Sequence, residues 1–277
     1  MVSSCVLTHW GGILHEPQVP DMPAKRRKEW FDDDSFWREL APFLFTKERL
    51  AAADHHVEKA LALAGPRGRK ALDLACGPGR CSVALARRGF TVTGVDRTKL
   101  LLDRARSRAR RAGVSIEWVR ADMRDFVREK AFDLALSMFT SFGYFDEKEE
   151  DLAVLRNVLA SLKPGGVFLM ELVGKESLAG VFQPITMETL PDGSRLVQNH
   201  EIFDDWTRIR NEWVLIRKGR TRTFRFHHTI YSGQEIKDRL LSAGFEEVRL
   251  YGSLEGDPYG RDSERLVAVA RRGSRAL

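Results

Sequence analysis

The stretch Ala71-Leu-Asp-Leu-Ala-Cys-Gly-Pro-Gly-Arg80 constrains this chain more than any other part of it. A short apolar run stops abruptly at Gly77-Pro78-Gly79, and a helix-compatible run, residues 81–89, follows at once. A strand, a tight glycine turn and a helix N-terminus in that order form a cofactor cradle. Glycine serves where the backbone must bend sharply or approach a ligand closely. Asp73, inside the end of the strand, decides which ligand. A carboxylate there repels a dinucleotide pyrophosphate and attracts a cofactor that carries an ammonium group. The dinucleotide fingerprint GxGxxG also requires a third glycine, where this chain has Ser82.

The segments that follow repeat the strand-then-helix pattern. Phe90 to Asp96 alternates apolar and polar residues and ends in an acid, a second strand. Asp96 lies 19 positions after Gly77, about where a carboxylate meets ribose hydroxyls in doubly wound nucleotide folds. A third strand is expected to end at Asp122-Met123, and a fourth at Met138-Phe139. A fifth follows the turn Lys163-Pro164-Gly165-Gly166. Strands alternating with helical patterns predict a parallel sheet.

With Asp73-Leu-Ala-Cys-Gly-Pro-Gly79, Val95-Asp96, Ala121-Asp-Met-Arg-Asp125, Phe132-Asp-Leu-Ala-Leu136 and Lys163-Pro-Gly-Gly166 in this order, the chain resembles the class I S-adenosylmethionine-dependent methyltransferases. The resemblance covers roughly residues 30 to 272. Thr140 to Phe145 and the C-terminal run from Ala243 look like a bacterial small-molecule subgroup, similar to the glycine and amino-sugar N-methyltransferases. The fold implied is α/β and Rossmann-like, a seven-stranded, mostly parallel sheet with an antiparallel β cover and an N-terminal helical lid. The cofactor implied is S-adenosyl-L-methionine, with S-adenosyl-L-homocysteine as product.

The resemblance also implies roles for residues. Asp73 is expected to hold the α-ammonium of the methionine end, and backbone groups at Ala75, Gly77 and Gly79 to line its carboxylate and ribose. Asp96 is expected to accept from both ribose hydroxyls, with Arg97 beside the adenine. Asp122 is expected to accept from the adenine amino group, the Met123 amide to meet the ring, and the Met138 carbonyl to contact the ammonium. The segment after the fourth strand sits where acceptor and methyl meet in such folds. Tyr144 is the first catalytic and substrate candidate, with Phe142 and Tyr231 as further substrate contacts. His227 and His228 are neighbours in a strand, so they point to opposite faces, and His228 is taken as the candidate base. Arg208 and Arg210 share a strand face by alternation and are expected to clamp an acidic group of the substrate. Phe31 and Trp37 either close over the cofactor or pack in the core.

The domain reading is an N-terminal arm over 1–29, a helical lid over 30–66 and a methyltransferase domain over 67–277, with an antiparallel insertion at about 180–230. The arm holds Gly11-Gly12 and three prolines and lacks helical periodicity. In the insertion, Pro191-Asp192-Gly193 and Lys218-Gly219 are turns between strand-like runs. Ser232 and Glu235 predict a capping box, and Gly244 the end of that helix.

Bulk properties narrow the function further. No apolar run approaches the roughly 20 residues of a membrane helix, and the N-terminus lacks a signal-peptide pattern. Cys5, Cys76 and Cys81 give no disulfide framework, which fits a cytoplasmic protein. The net charge of +6 comes with an arginine run, Arg104 to Arg111, opposite the apolar stripe Leu102, Ala105, Ala109 and Ala112, so it reads as a solvated helix face. There is no HExxH and no paired CxxC, hence no expected metal. The expected activity is methyl transfer to an amine, or a hydroxyl, of a small polar molecule by a monomer or homodimer, without nucleic acid or membrane partners. An RNA methyltransferase and a catalytically silent cofactor-binding regulator remain as rivals.

Overall fold

The computed structural model describes residues 29–190 and 192–274. Except for Glu29, the expected arm lies outside the described residues, as do Cys5 and Pro191. The described chain opens with a 3-10 turn (Trp30–Asp32) and three helices, α1 (Asp34–Leu44), α2 (Lys47–Ala51) and α3 (Ala53–Ala64). Asp33 starts α1 by accepting from the Ser35 amide, and Gly65 in the left-handed region ends α3.

The sheet then alternates with helices: β1 (Lys70–Leu74), α4 (Arg80–Arg87), β2 (Thr91–Asp96), α5 (Lys99–Ala112), β3 (Glu117–Arg120), β4 (Phe132–Ser137), α6 (Lys148–Ser161) and β5 (Leu162–Leu172). After α7 (Lys175–Val181) come β6 (Ile185–Thr189), β7 (Arg195–Phe203), β8 (Arg208–Arg217) and β9 (Arg220–Thr229), then α8 (Gly233–Ala243), β10 (Glu247–Tyr251) and β11 (Leu266–Arg271). The main sheet has seven strands in the order β10-β11-β5-β4-β1-β2-β3. β5, β4, β1, β2 and β3 run parallel, while β11 and β10 pair antiparallel. The fold is thus the mostly parallel Rossmann-like sheet with a separate antiparallel sheet that the sequence predicts.

Both faces of the main sheet are covered, which is why its strands are short, nearly continuous apolar runs. On one face Ala71, Leu134, Leu136 and Leu169 pack with Val57 of α3 and Leu85 of α4. On the other, Leu72, Ala135, Phe168 and Met170 pack with Leu155 of α6 and Leu240 of α8. Successive strand residues alternate between the two clusters, as the pleat requires. Each fully buried leucine contributes about 1.5–3 kcal/mol. β4 and β1 are neighbours although β2 and β3 separate them in the chain. Such a reversal opens a crevice at the C-terminal strand ends.

The second sheet, β6-β7-β8-β9, is antiparallel throughout. Lys218 and Gly219 both have positive φ, the two-residue hairpin turn that matches strand twist. Its inner face, Leu196, Leu215, Phe224 and Phe226, packs on Phe36, Leu40 and Phe43 of α1. This sheet and the N-terminal helices form a roof with its own core. The roof is tied to the main sheet where the Thr229 amide donates to the Gly143 carbonyl at 2.7 Å.

Two expected strand ends shift. β3 stops at Arg120 and β4 at Ser137, so Asp122 and Met138 lie in the loops beyond. The capping box of Ser232 and Glu235 is present, with Gly244 ending α8. Thr98 is the N-cap of α5, but its side chain makes no cap hydrogen bond. Its amide donates instead to the Asp96 carboxylate at 2.8 Å, so the acid rather than the threonine organises this turn.

Candidate active site

A cavity of about 730 Å³ lies between the C-terminal ends of β1, β2 and β4 and the roof. Its floor is made of backbone turns and buried acids. Asp96, at the end of β2, accepts from the Gly77 amide at 2.9 Å and from Thr98. The strand end and the glycine turn are therefore locked to each other through one carboxylate. Burial pushes the Asp96 carboxyl above the usual range, against the hydrogen bonds from Thr98 and Gly77. Asp73 is buried at the end of β1 and accepts from the Ser82 hydroxyl at 2.5 Å. It has no ion pair among the described residues, and burial raises its carboxyl to about 6. Both acids line the cavity. An acid left without a cation in a cavity is suited to receive one from a ligand.

The turn matters as backbone. Ala75 and Gly77 both have φ of 54°, the left-handed region. A Cβ on Gly77 would meet only the Phe45 ring edge at 4.0 Å among the described residues, so none of them fills that approach. Gly79 is different. Its added Cβ would stand 2.7 Å from Trp118 and 2.9 Å from Ala105. Gly79 does not line the cavity, and it serves the close packing of the turn against α5.

A second strained turn follows β4. Phe139 and Thr140 have φ of 64° and 56°, costly for a β-branched threonine. Glu171, buried in β5, holds the turn: its carboxylate accepts from the Phe139 amide at 3.1 Å and its carbonyl from the Thr140 amide at 3.0 Å. The Met138 carbonyl accepts from the Ser141 hydroxyl at 2.9 Å, and Met138 lines the cavity.

At the far rim, charges bind the N-terminal segment to the floor. Arg97 pairs with Glu29 at 2.8 Å, Asp32 at 2.6 Å and Asp122 at 2.9 Å, and it stands over the Phe31 ring. Arg124 is buried and joins Asp122, Glu29 and Glu150. Asp122 accepts from the Arg124 amide, from the Arg124 guanidinium twice, and from Arg97. Burial works to raise the Asp122 carboxyl, but the Arg124 hydrogen bonds outweigh it and hold it below the usual range. Four bonds fill the acceptor capacity of a carboxylate. The expected acceptance from an adenine amino group therefore finds no spare lone pair on Asp122 in this arrangement. Met123 and Arg97 line the cavity beside it.

The roof supplies aromatic rings. Trp30 lies 4.8 Å from Phe36, 4.8 Å from Phe226 and 5.3 Å from Tyr144. Tyr144 and His228 are in contact at 4.8 Å. Strand register connects His228 to two further groups. Asn211 on β8 faces His200 on β7, and His228 on β9 stands diagonal to it. The Asn211 amide oxygen meets His200 Nδ1 at 2.7 Å, and its amide nitrogen meets His228 Nδ1 at 3.5 Å. Burial, then the neighbouring His227 and His200, lowers His228 to about 4. Burial raises the Tyr144 phenol to about 12.

Of the residues singled out in the sequence, Asp73, Ala75, Gly77, Asp96, Arg97, Asp122, Met123, Met138, Tyr144 and His228 meet around this cavity. Others do not. Phe142 is buried in the main core against Tyr231, whose hydroxyl donates to Asp151 at 2.6 Å. Both are corrected to packing positions, because the glycine at 143 turns the loop toward β9 and leaves them beneath it. Arg208 and Arg210 also leave the site. Arg210 is exposed and pairs with Glu201 at 2.6 Å, while Arg208 donates to the Asp146 carbonyl. Alternation was right, but the opposite face turns inward, carrying Ile209, Asn211 and Trp213. His227 meets Asp146 at 3.0 Å, away from the cavity.

Three residues escaped the sequence reading. Glu171 was visible as a lone acid in an apolar strand, and Asn211 as a polar residue on the discarded face. Arg80 gave no signal beyond its closeness to the glycine turn. His56, which reads from the sequence as a structural histidine of its helix, lines the cavity.

A sequence profile described as a methyltransferase domain matches residues 71–166. The chain is 30% identical over 208 residues to the cypemycin N-terminal methyltransferase of a Streptomyces species, covering 74% of this chain and 84% of that protein. An S-adenosylmethionine-dependent methyltransferase from Clostridium acetobutylicum superposes with a TM-score of 0.71 at 16% identity, over 86% of this chain and 98% of that one. An amino pentose methyltransferase from Micromonospora echinaspora, CalS10 with S-adenosylmethionine bound, superposes with a TM-score of 0.64 at 24% identity, over 85% of this chain and 96% of that one.

Proposed function

This chain belongs to the class I S-adenosylmethionine-dependent methyltransferases, and on that premise we propose that it methylates an amine nitrogen of a small polar molecule. The cofactor supplies a methyl group on a sulfonium, ready for in-line displacement. The protein positions the nucleophile and excludes water. We assign the ribose hydroxyls to Asp96, whose carboxylate is already oriented by two backbone amides. The α-ammonium goes to Asp73, the buried acid without a cation. The approach over Gly77 takes the ligand backbone-side, and the Met123 amide, rather than the saturated Asp122 carboxylate, is assigned to the adenine edge.

The observation that carries the amine is the basicity of the roof. A hydroxyl acceptor needs a base with pKa near the working pH. His228 at about 4 and Tyr144 at about 12 both miss that range. The Asn211 amide nitrogen, a donor, faces His228 Nδ1 at 3.5 Å, which favours the tautomer with its proton on Nε2. An amine needs only to arrive neutral. The burial that strips His228 of its proton does the same to an acceptor ammonium. The aromatic walls further ask that the acceptor offer an apolar face. The relative from Streptomyces, named for methylation at an N-terminus, and CalS10, named for an amino pentose, support nitrogen.

The test is labelled methyl transfer from S-adenosylmethionine into matched amine and alcohol panels of the same carbon skeletons. N-methyl products are expected. Label appearing only in O-methyl products, or in RNA, would overturn the reading.

A further inference from the structure

Three guanidiniums line the cavity near the turn after β4: Arg49, Arg80 and Arg265. Two are committed within the protein. Arg49 donates to the Phe43 carbonyl at 3.0 Å, and Arg265 pairs with Glu171 at 3.1 Å. Arg80 opens α4 directly after the glycine turn and has no hydrogen-bond or ion-pair partner among the described residues. Its guanidinium rests 3.2 Å from the centroid of the Phe139 ring. His56 packs against the same ring at 5.5 Å, and its Nδ1 is buried without a hydrogen-bond partner among the described residues. Burial lowers the Arg80 pKa, and the acids that partly offset this, Glu171 and Asp73, act at a distance rather than by contact. A mostly buried cation without an anion is costly unless a ligand completes it.

Asp73 presents the converse case seven residues earlier in the chain: a buried anion without a cation among the described residues, influenced electrostatically by Arg80. One strand–turn–helix unit therefore offers both signs, each uncompensated by contact. The ligand that matches is a zwitterion with its ammonium and its anion on one carbon. The flat guanidinium fork matches a carboxylate in particular. We propose that Arg80 binds the α-carboxylate at the methionine end of the cofactor, beside the α-ammonium held by Asp73. This inference rests on the proposed role of Asp73. It makes Arg80 a residue that selects for the intact amino-acid end of the cofactor.

The experiment is titration calorimetry of the full chain, wild type, Arg80→Ala and Arg80→Lys, with two ligands. S-adenosylhomocysteine carries the amino-acid end, and 5′-methylthioadenosine lacks it. Arg80→Ala is expected to weaken S-adenosylhomocysteine by roughly ten- to a hundredfold, the range for a lost charge-assisted pair. Methylthioadenosine should change by less than about twofold. Arg80→Lys should recover part of the loss, since it restores the charge and not the fork. Equal weakening of both ligands would overturn the proposal in favour of a role in building the turn. Unchanged S-adenosylhomocysteine affinity would also overturn it, and a raised KM confined to carboxylate-bearing acceptors would then move Arg80 to the substrate. A wild-type chain that binds neither ligand would overturn the reading of the whole cavity, an outcome distinct from either of these.

Discussion

The floor and the roof of the cavity are built on different principles. The floor is short-range. Asp73, Gly77 and Asp96 sit at strand ends within 24 consecutive residues, and hydrogen bonds between backbone amides and carboxylates fix their geometry. The roof is long-range. Trp30, Phe36, Tyr144, Trp213 and Phe226 come from five separate segments and meet only through packing. Backbone-fixed carboxylates suit a cofactor whose polar groups never change. Rings held by packing can be exchanged for other rings without disturbing the floor. On the proposed assignments, the cofactor is read by one half of the cavity and the acceptor by the other.

The sharpest test of that division is a large cavity in the roof. Phe36→Ala removes a ring that touches Trp30, Trp37 and Phe224, and it should destabilise the chain by about 3–5 kcal/mol in denaturant unfolding. In native buffer its affinity for S-adenosylhomocysteine should stay within about twofold; a parallel collapse of binding would break the separation of floor from roof. Asp96→Ala strikes the floor alone. Calorimetry should show binding of the same ligand weakened by about 1–3 kcal/mol, since hydroxyl donors on a bound ligand are stranded. Undiminished affinity would remove the ribose assignment.

The pH dependence sharpens the role of Asp73. Its folded carboxyl titrates at about 6, above the ordinary 3.8. The native state therefore holds this proton more tightly than the unfolded chain, and stability from this group falls as pH rises from about 4 to 6 and is level above. A ligand ammonium requires the ionised form. S-adenosylhomocysteine affinity should drop by up to about tenfold per pH unit below 6 and be flat above it, and Asp73→Asn should abolish the slope. Methylthioadenosine, without the ammonium, should show no such slope in the wild type. The smallest effect is expected from a single hydroxyl of the roof. Tyr144→Phe removes one hydroxyl beside His228 and should lower turnover about two- to tenfold while leaving cofactor affinity unchanged. A normal rate would make Tyr144 a packing residue.

The floor was legible because its signals are local. A glycine turn after an apolar run, and an acid at the end of the next strand, are spacings a reader can count. The second sheet was legible as strands, since Lys218-Gly219 and Asp192-Gly193 punctuate the strand-like runs of the sequence. Which face of it turned inward was not. Along Arg208 to Trp213 both faces carry polar groups, and the arginines were the more conspicuous choice. The decision fell to α1, whose Phe36 stacks on Trp213 and whose Phe43 meets it edge-on, bringing Asn211 inside with it. Phe142 and Tyr231 show the same limit from the other side. Their aromatic character suits a binding wall and a core equally, and only the Gly143 turn against Thr229 put them in the core.

The sequence by itself determined the Rossmann-like sheet, the strand ends that carry Asp73 and Asp96, and the class of cofactor. Hydrophobic periodicity and turn chemistry act over a few residues, so those features are written where they act. Tertiary structure alone decided that Asp122 is saturated by Arg97 and Arg124, that Asn211 faces His228, and that Arg80 lacks, among the described residues, the partner its neighbours have. Hydrogen-bond capacity and charge balance are properties of what surrounds a side chain, and residues far apart in the chain supply those surroundings.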